Sequence, residues 1–93
     1  MASTGKNIPS GNSGVTQGAT VVQTAADLGE LVRERRRALA LKQTDVAGLG
    51  STGNRFIIEL ERGKPTVQLQ KALDVLSLLG LEVLVRPKAG GQP

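Results

Sequence analysis

The chain has 93 residues, enough for one small domain, and carries 12 Lys and Arg against 8 Asp and Glu, a net +4 with a pI near 10.1. It has no Cys, His, Trp or Tyr, and Phe56 is the one aromatic residue. That composition excludes Cys/His zinc sites, disulfides and histidine-based acid-base or nucleophilic catalysis. No apolar run approaches the ~20 residues of a spanning helix, and the N-terminus MASTGKNIPSG lacks the apolar core of a signal peptide. The expectation is a soluble, cytoplasmic, basic binding protein, without cofactor or metal.

Residues 1–20 are Gly, Ser, Thr, Asn and Gln with few hydrophobics and one charge, Lys6. Such a stretch cannot bury enough apolar surface to offset its ordering entropy, so it is expected to be a disordered arm. Val21-Val22-Gln23 leads into the folded part. Thr24 is a good N-cap with Asp27 three residues on. Leu28, Leu31, Val32, Arg35 and Leu39 then follow the i, i+3, i+4 spacing of an amphipathic helix ending near Leu39-Ala40.

A second, short helix is predicted from Gln43, carrying Val46, Ala47 and Leu49 inward, and Gly50-Ser51-Thr52-Gly53 reads as a turn. A third runs from Gly53 or Asn54 to Arg62 and buries Ile57 and Leu60; Gly63 stops it and Pro65 cannot continue it. Thr66 is expected to cap a fourth helix with Leu69, Leu73, Leu76 and Leu79 on one face, ended by Gly80.

Leu81-Glu82-Val83-Leu84-Val85-Arg86, closed by Pro87, is predicted as a strand, and 87–93 as a flexible tail. The fold class is therefore all-α: a four-helix, repressor-like domain over 21–80, plus a C-terminal β-strand over 81–86. A lone strand leaves its backbone groups without partners. The simplest solution is the same strand of a second copy, across a two-fold axis. A core of ~65 residues, which seldom supplies more than ~3–5 kcal/mol, points the same way. The predicted dimerisation residues are Leu81, Val83, Leu84 and Val85. The alternative is pairing of Val21-Val22 with Val83–Val85 inside one chain.

Two short helices joined by a four-residue turn in a basic domain form a helix-turn-helix arrangement. The second helix of such a pair enters the major groove while the first braces across the backbone. Here the pair is Gln43–Leu49 and Asn54–Arg62. Ala47 is small where the second helix crosses close to it. Asn54, Arg55, Ile58, Glu59 and Arg62 share the outward face. Residues 33–64 hold eight basic and four acidic side chains, hence the whole net +4. A dimer doubles that charge, and neutralised phosphates release counterions. With no aromatic platforms, duplex DNA is the expected partner rather than single strands or RNA.

At Leu41-Lys42-Gln43-Thr44-Asp45-Val46-Ala47 and Arg55-Phe56-Ile57-Ile58-Glu59-Leu60-Glu61-Arg62-Gly63-Lys64 the sequence resembles the phage-repressor (Cro/C1, XRE) helix-turn-helix family. Leu60 through Pro65-Thr66, Leu73-Asp74-Val75-Leu76, Leu79-Gly80-Leu81 and the terminal strand resemble its HipB-like antitoxin branch. The resemblance spans about residues 24–86. It implies a dimeric transcriptional repressor of its own operon that binds a pseudo-palindromic operator. It also implies a HipA-type serine/threonine kinase toxin as partner, held through the outer face of the fourth helix, the arm or the tail. The chain departs from the family with Ala40 in a usual glycine position, Lys42 for Thr or Ser, and Ser51-Thr52-Gly53 for Gly-Val-Ser. The first of these last three stands where a positive φ is often wanted.

The resemblance places Gln43 where a glutamine commonly contacts phosphate or assists a base contact. It places Arg36 where an arginine is expected to pair with Glu61 beneath the recognition helix. Asn54 and Arg55, in the first turn of that helix, suit adenine N6/N7 and guanine O6/N7; Glu59 either accepts from cytosine N4 or orients Arg55. Ile58 faces a thymine methyl or a neighbouring helix. Lys42, Thr52, Arg62 and Lys64 complete the predicted DNA-binding set, the basic ones as phosphate contacts. Arg33 and Arg37 share one side of the first helix and can meet the DNA backbone or a partner.

A stand-alone regulator without a toxin shares the same DNA-binding half, and a protein-interaction adaptor is a different class that Gln43, Asn54 and Arg55 argue against. An enzyme is the weakest option. The pairs that could be called catalytic, Asp45 with Thr44 and Glu59 with Glu61, are expected on helix surfaces rather than in a foreseeable cleft.

Overall fold

The computed structural model describes residues 18–88. Most of the expected arm over 1–20 and the end of the expected tail over 87–93 lie outside the described residues. Four helices follow one another: α1 (Ala25–Ala38), α2 (Gln43–Leu49), α3 (Asn54–Glu61) and α4 (Leu69–Leu78). None is long and apolar enough to cross a membrane, and no strand occurs among the described residues.

Thr24 opens α1 through a reciprocal cap. Its hydroxyl accepts the Asp27 N–H at 3.0 Å, while the Asp27 carboxylate accepts the backbone N–H groups of Gln23 and Thr24 at 3.0 and 3.2 Å. Those backbone bonds, with Gln23 the strongest, hold the Asp27 carboxyl below its ordinary pKa despite slight desolvation. α2 opens differently. Lys42 has no side-chain acceptor to offer, and Asp45 supplies the cap by accepting the Lys42 N–H at 2.8 Å.

All four helices end in the same hydrogen-bond pattern. The third residue past the helix donates to the carbonyl of the third-last helical residue, and the residue before it donates to the carbonyl one position later. The outer bonds of the pattern are Leu41 to Arg36, Thr52 to Ala47, Lys64 to Glu59 and Leu81 to Leu76, all between 2.9 and 3.1 Å. The pattern demands a left-handed residue at its corner. After α3 and α4 that residue is Gly63 (φ 82°) and Gly80 (φ 77°); after α1 and α2 it is Ala40 (φ 60°) and Ser51 (φ 53°).

The core consists of Val32, Val46, Ala47, Ile57, Leu60, Ala72, Val75, Leu76 and Leu79, with Leu28, Leu41, Phe56, Val67, Leu73 and Leu81 packed around it. α3 lies between α1 and α2, and α2 also touches α4. The approach of α1 to the end of α3 is close because the residues there are small. A Cβ on Gly29 would stand 2.4 Å from the Leu60 carbonyl oxygen, and one on Gly63 would stand 2.6 Å from the Ala26 Cα. Gly63 is thus needed twice, for its φ and for its lack of a side chain.

Some expected inward positions are corrected. Leu39 and Leu49, at the ends of α1 and α2, are 42% and 63% exposed because the chain is already turning away. Thr66 does not cap α4; residues 65–67 form a turn and the helix starts at Leu69 with Gln68 as N-cap. In that register Ala72, Val75, Leu76 and Leu79 face the core, whereas Leu69 is exposed. Residues 81–88 make no strand pairing among the described residues, so Val21-Val22 does not partner Val83–Val85. Val83, Leu84 and Val85 are left exposed, Val85 by 94%.

Candidate nucleic-acid interface

The two ends of α3 are treated oppositely by the fold. At its last turn, Leu60 and Glu61 are buried. The Arg36 guanidinium reaches from α1 to take both Glu61 oxygens, at 2.6 Å from Nε and 2.9 Å from Nη2. Its third donor goes to the Leu41 carbonyl at 2.8 Å, which ties the α1–α2 connection to the same group. Gln43, the first residue of α2, adds a bond from Nε2 to Glu61 Oε1 at 3.1 Å.

Burial by itself would push the Glu61 carboxyl up. The hydrogen bonds from Arg36 and Gln43, with the charges of Arg36 and Arg33, outweigh it and hold the group below the ordinary carboxylate value. The same hydrogen bond, donated by Arg36 to Glu61, raises the Arg36 pKa. One carboxylate therefore fixes α1, α2 and α3 to one another, and every partner at the joint is satisfied.

At the first turn only one face is covered, where Ile57 enters the core. Asn54 and Arg55 are exposed, the Arg55 side chain by 89%. Arg55 Nε lies 3.2 Å from Glu59 Oε2 one turn along, and Lys64 Nζ lies 3.3 Å from the same oxygen. The hydrogen bonds from Arg55 and Lys64 lower the Glu59 pKa. Glu59 thus meets two cations of the outward face.

The remaining predicted site residues divide. Lys42 and Arg62 are exposed beside the N-terminus of α2 and the C-terminus of α3. Ile58 is half-buried. The Thr52 hydroxyl is buried with no hydrogen-bond partner, so it is its backbone, donating to Ala47, that shapes the turn. An open groove about 320 Å³ in volume runs beside the joint, lined by Arg33 and Arg37 of α1, Gln43 of α2, Ile58 and Arg62 of α3, and the Arg36–Glu61 pair.

Three structural roles escape a reading of the sequence. Gly29 sets the distance between α1 and α3, Gln43 joins the Arg36–Glu61 pair, and Arg35 donates from Nε to the Leu79 carbonyl at 2.8 Å, closing the end of α4. The first had a visible signal in the small-residue set Ala25, Ala26 and Gly29 at the start of α1. The carboxylates of the enzyme alternative are occupied by the fold: Asp45 caps α2, while Glu59 and Glu61 are in ion pairs.

No family model matches the chain. A curated relative, the uncharacterised HTH-type transcriptional regulator y4mF of Sinorhizobium fredii, is 47% identical over 62 residues, which are 67% of this chain and 82% of that protein. Among solved structures, one described as a HipB–O4 20mer complex superposes with a TM-score of 0.70 at 14% identity, covering 75% of this chain and 99% of that one. A HipB variant in an O2 20mer complex gives the same TM-score and identity, covering 75% of this chain and 97% of that one. The four helices, the exposed first turn of α3 and the 47% relative lead to one assignment: the chain belongs to the helix-turn-helix-type transcriptional regulators, in the fold that HipB also has.

Proposed function

We propose that this chain is a homodimeric transcriptional repressor that binds a pseudo-palindromic operator in double-stranded DNA, represses its own operon, and serves as antitoxin to a HipA-type serine/threonine kinase toxin. The observation that carries the DNA-binding part is the presentation of Asn54 and Arg55 on the free first turn of α3 while its last turn is locked to α1 and α2. That is how a recognition helix must be held to insert its first residues into the major groove. Lys42, Arg62 and Lys64 flank it as phosphate contacts, and Gln43, with one amide hydrogen on Glu61, keeps its other amide hydrogen for a phosphate oxygen and its carbonyl oxygen for a donor on a base edge. The HipB complexes with O2 and O4 20mers support the same use of this fold. The antitoxin role rests on the HipB-like fold and on the family resemblance of the C-terminal segment.

Dimerisation is assigned to Leu81, Val83, Leu84 and Val85: the last three expose apolar side chains that find no strand partner among the described residues, and Leu81, half-buried against the core, anchors the segment. Footprinting on the DNA upstream of its own gene should protect two half-sites about one helical turn, ~10 base pairs, apart. Absence of protection there and on selected random-sequence DNA would sink the repressor reading. For the antitoxin role, co-expression with a HipA-type kinase encoded beside the gene should yield a stoichiometric complex and suppress kinase activity; free kinase, fully active, would leave a stand-alone regulator. Replacing Val83 and Val85 by Pro should give monomers in light scattering and weaken operator binding sharply. A dimer that persists would refute the strand pairing.

A further inference from the structure

We propose that Arg33 and Arg37 of α1, together with Arg62 at the C-cap of α3, form a second anion-binding element of this chain, a groove that holds the sugar-phosphate backbone of duplex DNA beyond the helix-turn-helix pair. The inference rests on the DNA-binding reading above and extends the interface to α1.

Four arginines and one glutamate line the groove. Glu61 is consumed by Arg36 in a bidentate pair with both its oxygens engaged, so that pair cancels and three positive charges remain. Arg33, Arg37 and Arg62 are exposed, and none has a carboxylate within 4 Å among the described residues. The contrast with the other arginines of the four helices is informative. Arg35 is used on a helix end, Arg36 on Glu61 and Arg55 on Glu59. Surface arginines commonly settle against a neighbouring carboxylate, and here Glu30 and Glu34 of the same helix pair with neither Arg33 nor Arg37. Three like charges gathered beside one groove repel one another, and a polyanion relieves that repulsion.

Placement on α3 names the ligand. Asn54, Ile58 and Arg62 are spaced four apart and so form one strip along α3, leading from the exposed first turn to the groove. The rise from Asn54 to Arg62 is about 12 Å at ~1.5 Å per residue. With the N-terminal residues of such a helix at the base edges, Arg62 and the α1 arginines beside it stand about two turns further along, toward the rim of the groove where the phosphates lie. Arginine forks suit phosphate oxygens, and Arg33 and Arg37, one turn apart on α1, offer two in a row. The element positions the domain and reads no sequence.

The test is the salt dependence of DNA affinity for the unaltered full-length protein, the Arg33→Gln/Arg37→Gln double variant and the Arg33→Lys/Arg37→Lys variant, on operator and random duplexes. The slope of log affinity against log salt should shrink by about 0.9 for each phosphate that is no longer neutralised, hence by about 2 per subunit in the glutamine variant. The weakening should be equal on operator and random DNA, the lysine variant should keep most of the slope, and the melting temperature should stay put in both. A glutamine variant with the unaltered slope would overturn the inference while leaving the DNA-binding reading intact, and would turn the arginines toward an acidic protein partner. A selective weakening on operator DNA would overturn it as well, because that is base readout. An unaltered protein that binds neither duplex would overturn both readings together. Should the glutamine variant fail to fold, phosphate-ethylation interference with the unaltered protein decides the matter. Interfering phosphates beyond those expected for Lys42, Gln43, Arg62, Lys64 and the α3 N-terminus support the groove, and their absence refutes it.

Discussion

The first and last turns of α3 are eight residues of one helix treated in opposite ways. Arg55 is 89% exposed in its side chain and held only by a surface ion pair, whereas the Glu61 side chain is 3% exposed and holds three elements. A surface i, i+4 pair stabilises by about 0.2–0.5 kcal/mol, and the buried joint by far more. The difference shows how a small domain keeps a helix both presented and rigid. Ile57 and the buried joint at the far end hold the helix in place, so the outward face of the near end is free to exchange Glu59 for a ligand at little cost.

The sharpest way to break that contrast is at the joint. Arg36→Ala or Glu61→Ala leaves a buried charge without its partner, which costs about 3–5 kcal/mol. A core of this size supplies little more than that, so either variant should be largely unfolded at 25 °C by circular dichroism, while Glu59→Ala should melt within a few degrees of the parent. The same joint sets an acid limit. Because the Glu61 pKa is lowered by folding, its contribution is complete above the ordinary value of 4.5 and disappears as pH falls through the lowered one. Glu61→Gln should therefore be less stable than the parent at pH 7, with a deficit that narrows on acidification. A deficit independent of pH would show that Glu61 acts through shape alone.

The next largest effect is expected at Gly29. An alanine there brings a methyl to within 2.4 Å of the Leu60 carbonyl oxygen and 2.7 Å of the Glu61 carbonyl oxygen. Alanine gains about 1 kcal/mol of helix propensity, but overpacking against backbone costs about 3 kcal/mol at the upper end of its usual range, and a net loss of about 2 kcal/mol is predicted. Thermal melting should register it as a fall of about 4–8 °C per kcal/mol. An unchanged melting temperature would mean that α1 can slide on α3, and that Arg36 rather than backbone contact sets their spacing.

Why some of this was legible in the sequence and some not follows from which interactions repeat. Apolar spacing and capping residues place α1, α2 and α3 to within a residue or two, because Thr24, Gly53 and Gly63 are local signals read locally. α4 shows the limit. Thr66 after Pro65 looks like a cap, but the chain makes a turn there that lays Val67 against the core, and the helix starts three residues later. Following the leucines then rotates the inferred face by about 50° at ~100° per residue, which admits Leu69 and omits Ala72 and Val75. At the candidate interface the outward residues of α3 could be read from helical phase. The bond from Gln43 to Glu61 spans 18 positions and that from Arg35 to Leu79 spans 44. No periodicity encodes such distances.

At the near end of α3 the expected effects are on affinity rather than stability. Arg55→Ala should lower operator affinity by about 1–3 kcal/mol, roughly 5–150-fold, with a smaller loss on random duplex DNA and an almost unchanged melting temperature. Equal losses on both duplexes would make Arg55 a phosphate contact and shift base readout to Asn54.

The smallest expected effect separates the fold's strain from its function. Ala40 and Ser51 occupy the left-handed corner that Gly63 and Gly80 fill after the later helices, and together they bracket α2, which carries Gln43 to the joint. A left-handed conformation costs a residue with a side chain about 1–2 kcal/mol. Glycine relieves that cost but gives back about 0.4–1 kcal/mol through the greater freedom of the unfolded chain. Ala40→Gly should therefore stabilise the domain by about 0.5–1 kcal/mol, and Ser51→Gly by a similar amount, each seen as a small rise in denaturant midpoint without a change in slope. Neither corner touches the exposed turn of α3, so operator affinity should not move. If Ser51→Gly raised stability yet weakened binding, the strained corner after α2 would be part of how the recognition helix is aimed, and Ile57 and the joint at the far end of α3 would not be its sole anchors.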